Sequence, residues 1–175
     1  MKQLRGFSLI ELMVVVAIMA VLAIIGLPSY AIWVQNTAVR NVAESLLNGL
    51  QLARSEAVAR NTGVDFVANA NSSWSFGCAA VTATCPATIQ AKAASEGSSG
   101  TVVTVNNAAV ANTVSFGNFG ALTNGGVAIS IDIDSTTLSA ADSRQLRVDV
   151  STGGSVRMCD PSLDSGGEDP RRCPP

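Results

Sequence analysis

The chain has 175 residues, a net charge of −2 and no histidine. This length accommodates one anchor helix and one modest globular domain, and the charge does not indicate a strongly basic nucleic-acid-binding protein. The lack of histidine excludes a histidine-based catalytic triad, a histidine–metal site and a histidine proton shuttle. Because the sequence also has no Gly-x-Ser-x-Gly motif and no phosphate-binding loop, an enzyme is the least favoured class.

An apolar run begins at Phe7 and ends at Leu27, directly after a short basic leader. About 20 helical residues cover the roughly 30 Å of a bilayer core, so the run is long enough to span it. Glu11 lies inside this run, where a carboxylate costs roughly 2.5–3.5 kcal/mol on insertion scales, so we expect it to have a partner and a purpose. The alternative is a simple membrane anchor in which Glu11 is incidental.

The small residue Gly6 lies before the apolar run, whereas an ordinary secretory signal is cut after its apolar region. Cleavage after Gly6 would keep the helix on the mature protein and give Phe7 a free amine. That amine is a cation four residues from Glu11. We therefore expect a protein that uses its apolar helix again after residence in the membrane.

Residues 5–12, Arg-Gly-Phe-Ser-Leu-Ile-Glu-Leu, closely resemble the class III leader of type IV pilins and type II secretion pseudopilins. The resemblance implies cleavage between Gly6 and Phe7 by a prepilin peptidase, and N-methylation of Phe7. It also implies that Glu11 pairs with the Phe7 amine of a neighbouring subunit in a helical filament. The implied partners are other pilin and minor pilin subunits, the peptidase and, before assembly, lipid of the bacterial inner membrane. No cofactor and no metal are expected.

After the apolar run, the helix changes character. Pro28 directly follows the apolar run and is expected to kink or soften the helix there. The stretch from Ser29 to Arg60 is predicted to be an amphipathic helix that Asn61-Thr62-Gly63 ends. The residues predicted to face a domain recur at steps of three and four: Val39, Ala43, Leu46, Leu50, Ala53 and Ala57.

Beyond Gly63 the pattern is that of β-strands, clearest where apolar residues alternate with polar ones from Val127 to Asp134. Because no helical pattern separates the strands, we expect mainly antiparallel β-sheet structure packed on the helix. The segment from Ala91 to Gly100 is interpreted as a loop. The other predicted strands are 64–67, 74–78, 101–105, 113–116, 146–150 and a return strand containing Val156 and Met158, which follows a turn at 151–154.

These elements predict an α+β fold, and one long helix that is apolar and then amphipathic also fits the pilin plan. The expected organisation is a leader peptide (1–6), a transmembrane and filament-core helix (7–28), an amphipathic helix (29–61) and a β-rich domain (62–175). The β-rich domain is expected to be periplasmic, and later to be part of a pilus or pseudopilus.

The four cysteines form two pairs that are local in sequence, Cys78 with Cys85 and Cys159 with Cys173. An even count beyond a membrane helix suggests an oxidising compartment and two disulfides. Of the three connectivities, the local one is favoured because each loop closes at low entropic cost. A four-thiolate zinc site is the rival interpretation, but no Cys-x-x-Cys spacing is present.

Residues 52–61 resemble a segment of H-type pseudopilins and of FimT/FimU-type minor pilins, and the tail from Gly154 to Cys173 is similar to that of FimU/FimT-like minor pilins. The resemblance implies a minor type IV pilin that helps to prime assembly at the pilus tip. The alternatives are an H-type pseudopilin of type II secretion and a DNA-uptake pilus subunit. Arg54, Glu56 and Arg60 are interpreted as a solvated helix face with local ion pairs. The alternative is a role in orienting the sheet.

FimT-like pilins used in DNA uptake carry a Gly-Arg-x-Arg motif whose arginines contact phosphates. The matching residues here are 154–157, Gly-Ser-Val-Arg, so the first arginine is absent. The candidate phosphate contacts are therefore Arg157, Arg171 and Arg172.

DNA binding is not favoured, because acidic residues in the same loop would cancel the positive charge that phosphate binding needs. Four carboxylates supply the oxygen ligands that calcium prefers, but their spacing fits no specific calcium loop. The leading expectation is a surface knob closed by Cys159 and Cys173. The acidic residues concerned are Asp160, Asp164, Glu168 and Asp169.

Overall fold

The computed structural model describes residues 8–97, 99–106, 111–163 and 169–174. Gly6 and Phe7, the predicted cleavage site, lie outside these residues. The fold consists of one long helix, α1, followed by eight strands, and it divides into two compact units, Met1–Val34 and Gln35–Pro175. The elements are α1 (Leu9–Arg60), β1 (Val64–Ala68), β2 (Trp74–Cys78), β3 (Gln90–Lys92), β4 (Thr101–Asn106), β5 (Thr113–Phe116), β6 (Ile129–Ser135), β7 (Leu146–Val150) and β8 (Val156–Cys159).

The part of α1 in the second unit buries the face predicted from the sequence. All six predicted residues, from Val39 to Ala57, have no exposed surface. The helix ends where expected, since Asn61 has a φ of 50° and the Thr62 N–H donates to the carbonyl of Ala57 at 3.1 Å. A left-handed residue just after the last turn is a common helix stop, and asparagine tolerates that conformation better than most residues.

The strands form two four-stranded sheets. The first has the order β3-β2-β1-β5 and the second the order β4-β6-β7-β8, and every pairing is antiparallel, as predicted. The consecutive strands β4 and β5 belong to different sheets, because β5 returns to pair with β1 while β4 pairs with β6. Alternation along a strand shows which side chains are buried, but it does not identify the neighbouring strand.

Both sheets and α1 contribute to one hydrophobic core. Leu46 and Leu50 of α1, Phe66 of β1 and Ile131 of β6 are all fully buried members of it. Gly49 lets the helix approach the first sheet, because a Cβ there would lie 2.9 Å from the Phe66 ring and 3.2 Å from Trp74. The helix and sheets therefore form the α+β fold expected.

Two strand predictions need correction. The alternating pattern predicts a strand from Val127, but β6 begins at Ile129 and Val127 is 55% exposed. The sequence predicts a loop from Ala91 to Gly100, but Ala91 and Lys92 belong to β3 and pair with β2. Since β3 has three residues and none of them is buried, it carries no alternating pattern from which a strand could be predicted.

The structure joins Cys78 to Cys85 and Cys159 to Cys173, the local pairing that the sequence favoured. The second disulfide closes the C-terminal loop onto the end of β8. Replacing Cys159 and Cys173 together by serine should lower the free energy of unfolding by about 3 kcal/mol, because a loop of about 15 residues gains that much freedom in the unfolded chain. Urea unfolding of the Gln35–Pro175 unit would measure the loss, and an unchanged midpoint would contradict the prediction.

Candidate functional site

The apolar part of α1 is exposed along its whole length. Its large side chains, from Leu9 at 77% exposure to Leu27 at 65%, are exposed in the part of the chain that the structure describes. In the part of the chain that the structure describes, α1 is the one helix long and apolar enough to cross a membrane. A soluble monomer rarely exposes a contiguous apolar surface of this size, so the surface needs lipid or other apolar helices around it.

Glu11 lies in the first turn of this helix, where its carboxylate is exposed. Its backbone N–H donates to the hydroxyl of Ser8 at 3.3 Å, which makes Ser8 the N-cap. A carboxylate in the first turn also interacts favourably with the helix dipole. Ser8 is not among the site residues predicted from the sequence, although the Ser-x-x-Glu pattern at residues 8–11 is typical of a capped helix N-terminus.

Pro28 lies inside α1, with helix on both sides of it. The expected kink or softening at this position stays a prediction.

Arg54 has a different role from the solvated one predicted for it. Its Nε donates to the carbonyl of Gly120 at 3.0 Å and its Nη2 lies 3.5 Å from the carbonyl of Gly153, so it joins α1 to two loops. Glu56 and Arg60 do form the expected local ion pair, at 2.6 Å, and Arg60 also donates to the carbonyl of Thr84.

The turn between β7 and β8 is packed tightly against the loop that contains Gly120. Gly154 has a φ of 77°, and a Cβ added to it would lie 1.8 Å from the Gly120 carbonyl oxygen. The Leu122 N–H donates to the carbonyl of Thr152 at 3.0 Å, which ties the same two segments together. The glycine of the Gly-Ser-Val-Arg segment is therefore required by the fold itself.

The outward face of the second sheet carries charges of both signs. Arg147 of β7 holds Asp132 of β6 through two hydrogen bonds, of 2.6 and 3.1 Å. Arg157 of β8 lies opposite Asp149 in the strand register. Burial raises the pKa of Asp149, and the neighbouring cations Arg147 and Arg157 oppose that effect. Among the described residues, the cations of this face are therefore accompanied by carboxylates.

Positive charge in the C-terminal loop is also balanced by a carboxylate. Arg171 donates to both carboxylate oxygens of Asp169, at 3.1 and 2.7 Å, and these bonds together with the Arg171 backbone N–H lower the pKa of Asp169 to about 2. The Arg157 guanidinium reaches the carbonyl of Arg172 at 3.4 Å. The three candidate phosphate contacts thus lie in one region, but at least one of them is held by a carboxylate.

The acidic residues of the loop are used for local structure where they are described. Asp160 accepts hydrogen bonds from the N–H and hydroxyl of Ser162, and Asp169 holds Arg171. Asp164 and Glu168 lie outside the described residues. Asp149 approaches the sulfurs of Cys159 and Cys173, but both sulfurs are in a disulfide and so are not the thiolates that bind zinc.

These contacts predict weak DNA binding. The unmodified chain should bind duplex DNA feebly at physiological salt, and Ser155→Arg should strengthen binding, because Ser155 is exposed and shares the outward face with Arg157. One added phosphate contact should steepen the dependence of log affinity on log salt by about 0.9. Fluorescence anisotropy at several salt concentrations would measure both, with Ser155→Gln as the uncharged control. Tight, salt-sensitive binding by the unmodified chain would refute this prediction.

Two family models match the sequence. The one describing the type II transport protein GspH matches residues 42–154, and the one describing a prokaryotic N-terminal methylation motif matches residues 1–27. No protein of curated function matches the sequence.

Solved structures with a similar fold come from two kinds of assembly. The type IV minor pilin FimU of Pseudomonas aeruginosa is 17% identical, with a TM-score of 0.58, over 75% of this chain and 95% of FimU. The minor pseudopilin EpsH of the Vibrio cholerae type 2 secretion system is 16% identical, with a TM-score of 0.53, over 71% of this chain and 98% of EpsH. At these identities the likeness shows a shared fold.

Proposed function

The chain belongs to the GspH family of pilin-like proteins, as a minor pilin or pseudopilin, and from this premise we propose that it is a minor type IV pilin that helps to prime assembly at the pilus tip. The observation that carries the choice of a pilus is the C-terminal tail. The tail resembles that of FimU/FimT-like minor pilins, and the Cys159–Cys173 disulfide closes it onto β8, an edge strand of the second sheet.

The proposed mechanism exchanges lipid for protein around the apolar part of α1. In the membrane, lipid covers the exposed side chains between Leu9 and Leu27. In a filament, the apolar helices of neighbouring subunits cover them instead. Pairing of the Glu11 carboxylate with a neighbour's Phe7 amine favours the correct register, because a misplaced subunit would leave a charge unpaired in apolar surroundings.

The same mechanism sets the proposed location. Lys2 and Arg5 precede the apolar helix, and a positive flank favours the cytoplasmic side of a membrane. Both disulfides lie beyond the helix, and disulfides persist in oxidising compartments such as the periplasm. We therefore propose a single-pass inner-membrane protein with a periplasmic C-terminal domain, from which the leader 1–6 is removed after insertion.

Maturation is expected to cut after Gly6. The mass spectrum of the membrane-extracted protein should show a chain that begins at Phe7 and carries one extra methyl group on its amine. Cells that lack the prepilin peptidase should contain the full-length chain, which provides the control. A Met1 terminus in cells with an active peptidase would contradict the prediction.

The second candidate function is that of an H-type pseudopilin in type II protein secretion. It is favoured by the description of the matching family model and by the fold likeness to EpsH. The shared helix motif serves both assemblies, so the choice depends on which one needs the protein.

Deletion of the gene distinguishes the two functions. If the protein is a minor pilin, deletion should reduce the pili sheared from the cell surface by tenfold or more and leave the export of hydrolases unchanged, and the wild-type gene should restore the pili. Loss of export with normal pili would overturn the proposal and establish the second candidate.

A further inference from the structure

Two exposed aromatic residues mark the end of the apolar part of α1. Tyr30 and Trp33 are each 62% exposed, and their ring centroids are 5.9 Å apart. Residues three apart lie on the same side of a helix, so the two rings form one patch. Apolar residues precede the patch, and the polar residues Gln35 and Asn36 follow it.

We propose that Tyr30 and Trp33 anchor the helix in the lipid headgroup region and thereby hold Glu11 at the opposite membrane surface before assembly. This inference rests on the proposed function, because it requires that the helix spans a bilayer. Tyrosine and tryptophan are enriched at membrane–water interfaces, where the ring contacts lipid and the hydroxyl or N–H contacts water.

The length of the helix supports the proposed position of Glu11 at the opposite membrane surface. Because α1 is helical throughout this region, Glu11 and Tyr30 are separated by about 19 residues, or about 29 Å along the axis. The hydrocarbon core of a bilayer is about 30 Å thick. When Tyr30 lies at one boundary, Glu11 therefore lies close to the other, and its exposed carboxylate can reach water.

This placement changes when the Glu11 carboxylate is expected to meet apolar surroundings. In a resting subunit the Glu11 carboxylate is hydrated, and residues near Val21 occupy the centre of the membrane. The carboxylate enters apolar surroundings only when the subunit joins a filament. Glu11 therefore needs a partner during assembly and not before it.

The depth of Trp33 in the bilayer tests whether the aromatic pair lies in the headgroup region. The full chain is reconstituted in phosphatidylcholine vesicles that carry bromine either close to the headgroup or deep in the acyl chains. The fluorescence of Trp33 is obtained by subtracting the emission of Trp33→Phe from that of wild type. This subtraction removes the contribution of Trp74, which both proteins contain. Bromine near the headgroup should quench Trp33 at least twofold more than deep bromine. Equal quenching at both depths, or no quenching, would overturn the proposal.

The depth of Glu11 is tested with nitroxide labels at single added cysteines. All four native cysteines are in disulfides, so Leu12→Cys or Val21→Cys supplies the one reactive thiol. A water-soluble nickel complex should relax the label at residue 12 at least threefold more than the label at residue 21. Equal shielding of the two labels would overturn the proposal.

The aromatic pair itself is tested by Tyr30→Leu with Trp33→Leu, which keeps the surface apolar and removes the interfacial groups. The nickel accessibility at residue 12 should change by at least twofold. The control is Ile24→Leu with Leu27→Ile, two equally spaced substitutions that should change nothing. An unchanged accessibility in the aromatic double variant would overturn the anchoring role.

Failure of the inference is distinguishable from failure of the proposed function. A chain that inserts into vesicles and enters pili, but whose Trp33 lies deep, refutes the inference alone. A chain that does not associate with vesicles refutes the membrane anchor on which both depend.

Discussion

Gly154→Ala should lower the free energy of unfolding of the Gln35–Pro175 unit by about 3–5 kcal/mol. Two effects add at this position. Gly154 has a φ of 77°, which an L side chain rarely adopts, and the new Cβ would lie 1.8 Å from the Gly120 carbonyl oxygen. Because that oxygen belongs to backbone that Arg54 also holds, the clash can be relieved only by separating the β7–β8 turn from the Gly120 loop.

The adjacent glycine provides a matched control. A Cβ at Gly153 would have no atom within 4 Å, so Gly153→Ala should change the free energy of unfolding by less than about 1 kcal/mol. Urea unfolding followed by circular dichroism would compare the two variants with wild type. Equal effects of the two substitutions would mean that the close approach of the turn to Gly120 is absent in solution.

The sequence predicted those features that depend on local periodicity. The apolar steps from Val39 to Ala57 identified the buried face of α1, and the alternation from Ile129 to Ile133 identified the core strand β6. The cysteine spacing favoured the two local disulfides for a similar reason, since short loops close at low entropic cost.

Features that depend on distant chain segments were not predictable in this way. The acceptors of Arg54 are carbonyls of Gly120 and Gly153, and any residue type supplies a carbonyl, so no pattern of side chains indicates the contact. The division into two sheets likewise depends on the pairing of β5 with β1, a strand far from it in the sequence. No pattern within β5 itself indicates that partner. The strand β3 exists because it pairs with β2 and not because its own residues favour it.

Glu11→Ala should abolish the chain's incorporation into filaments and leave its insertion into the membrane intact or improved. Insertion does not suffer, because removing a charge from an apolar helix takes away nothing that favours its insertion. In the proposed filament, the neighbour's Phe7 amine would then be buried without its partner, at a cost of about 3–5 kcal/mol, which corresponds to a loss of incorporation of about 100-fold or more. The measurement is the amount of the protein in sheared filaments relative to its amount in the membrane.

Val14→Ala is the matched control, because Val14 is exposed on the same helix, one turn further along, and its truncation removes no charge. It should enter filaments within about twofold of wild type. Glu11→Gln separates charge from hydrogen bonding: the amide oxygen still accepts a hydrogen bond from the amine, but it does not neutralise the amine's charge, so incorporation should stay close to that of Glu11→Ala. Normal incorporation of both Glu11 variants would show that the carboxylate has no role in assembly and would leave only its place in the first helical turn.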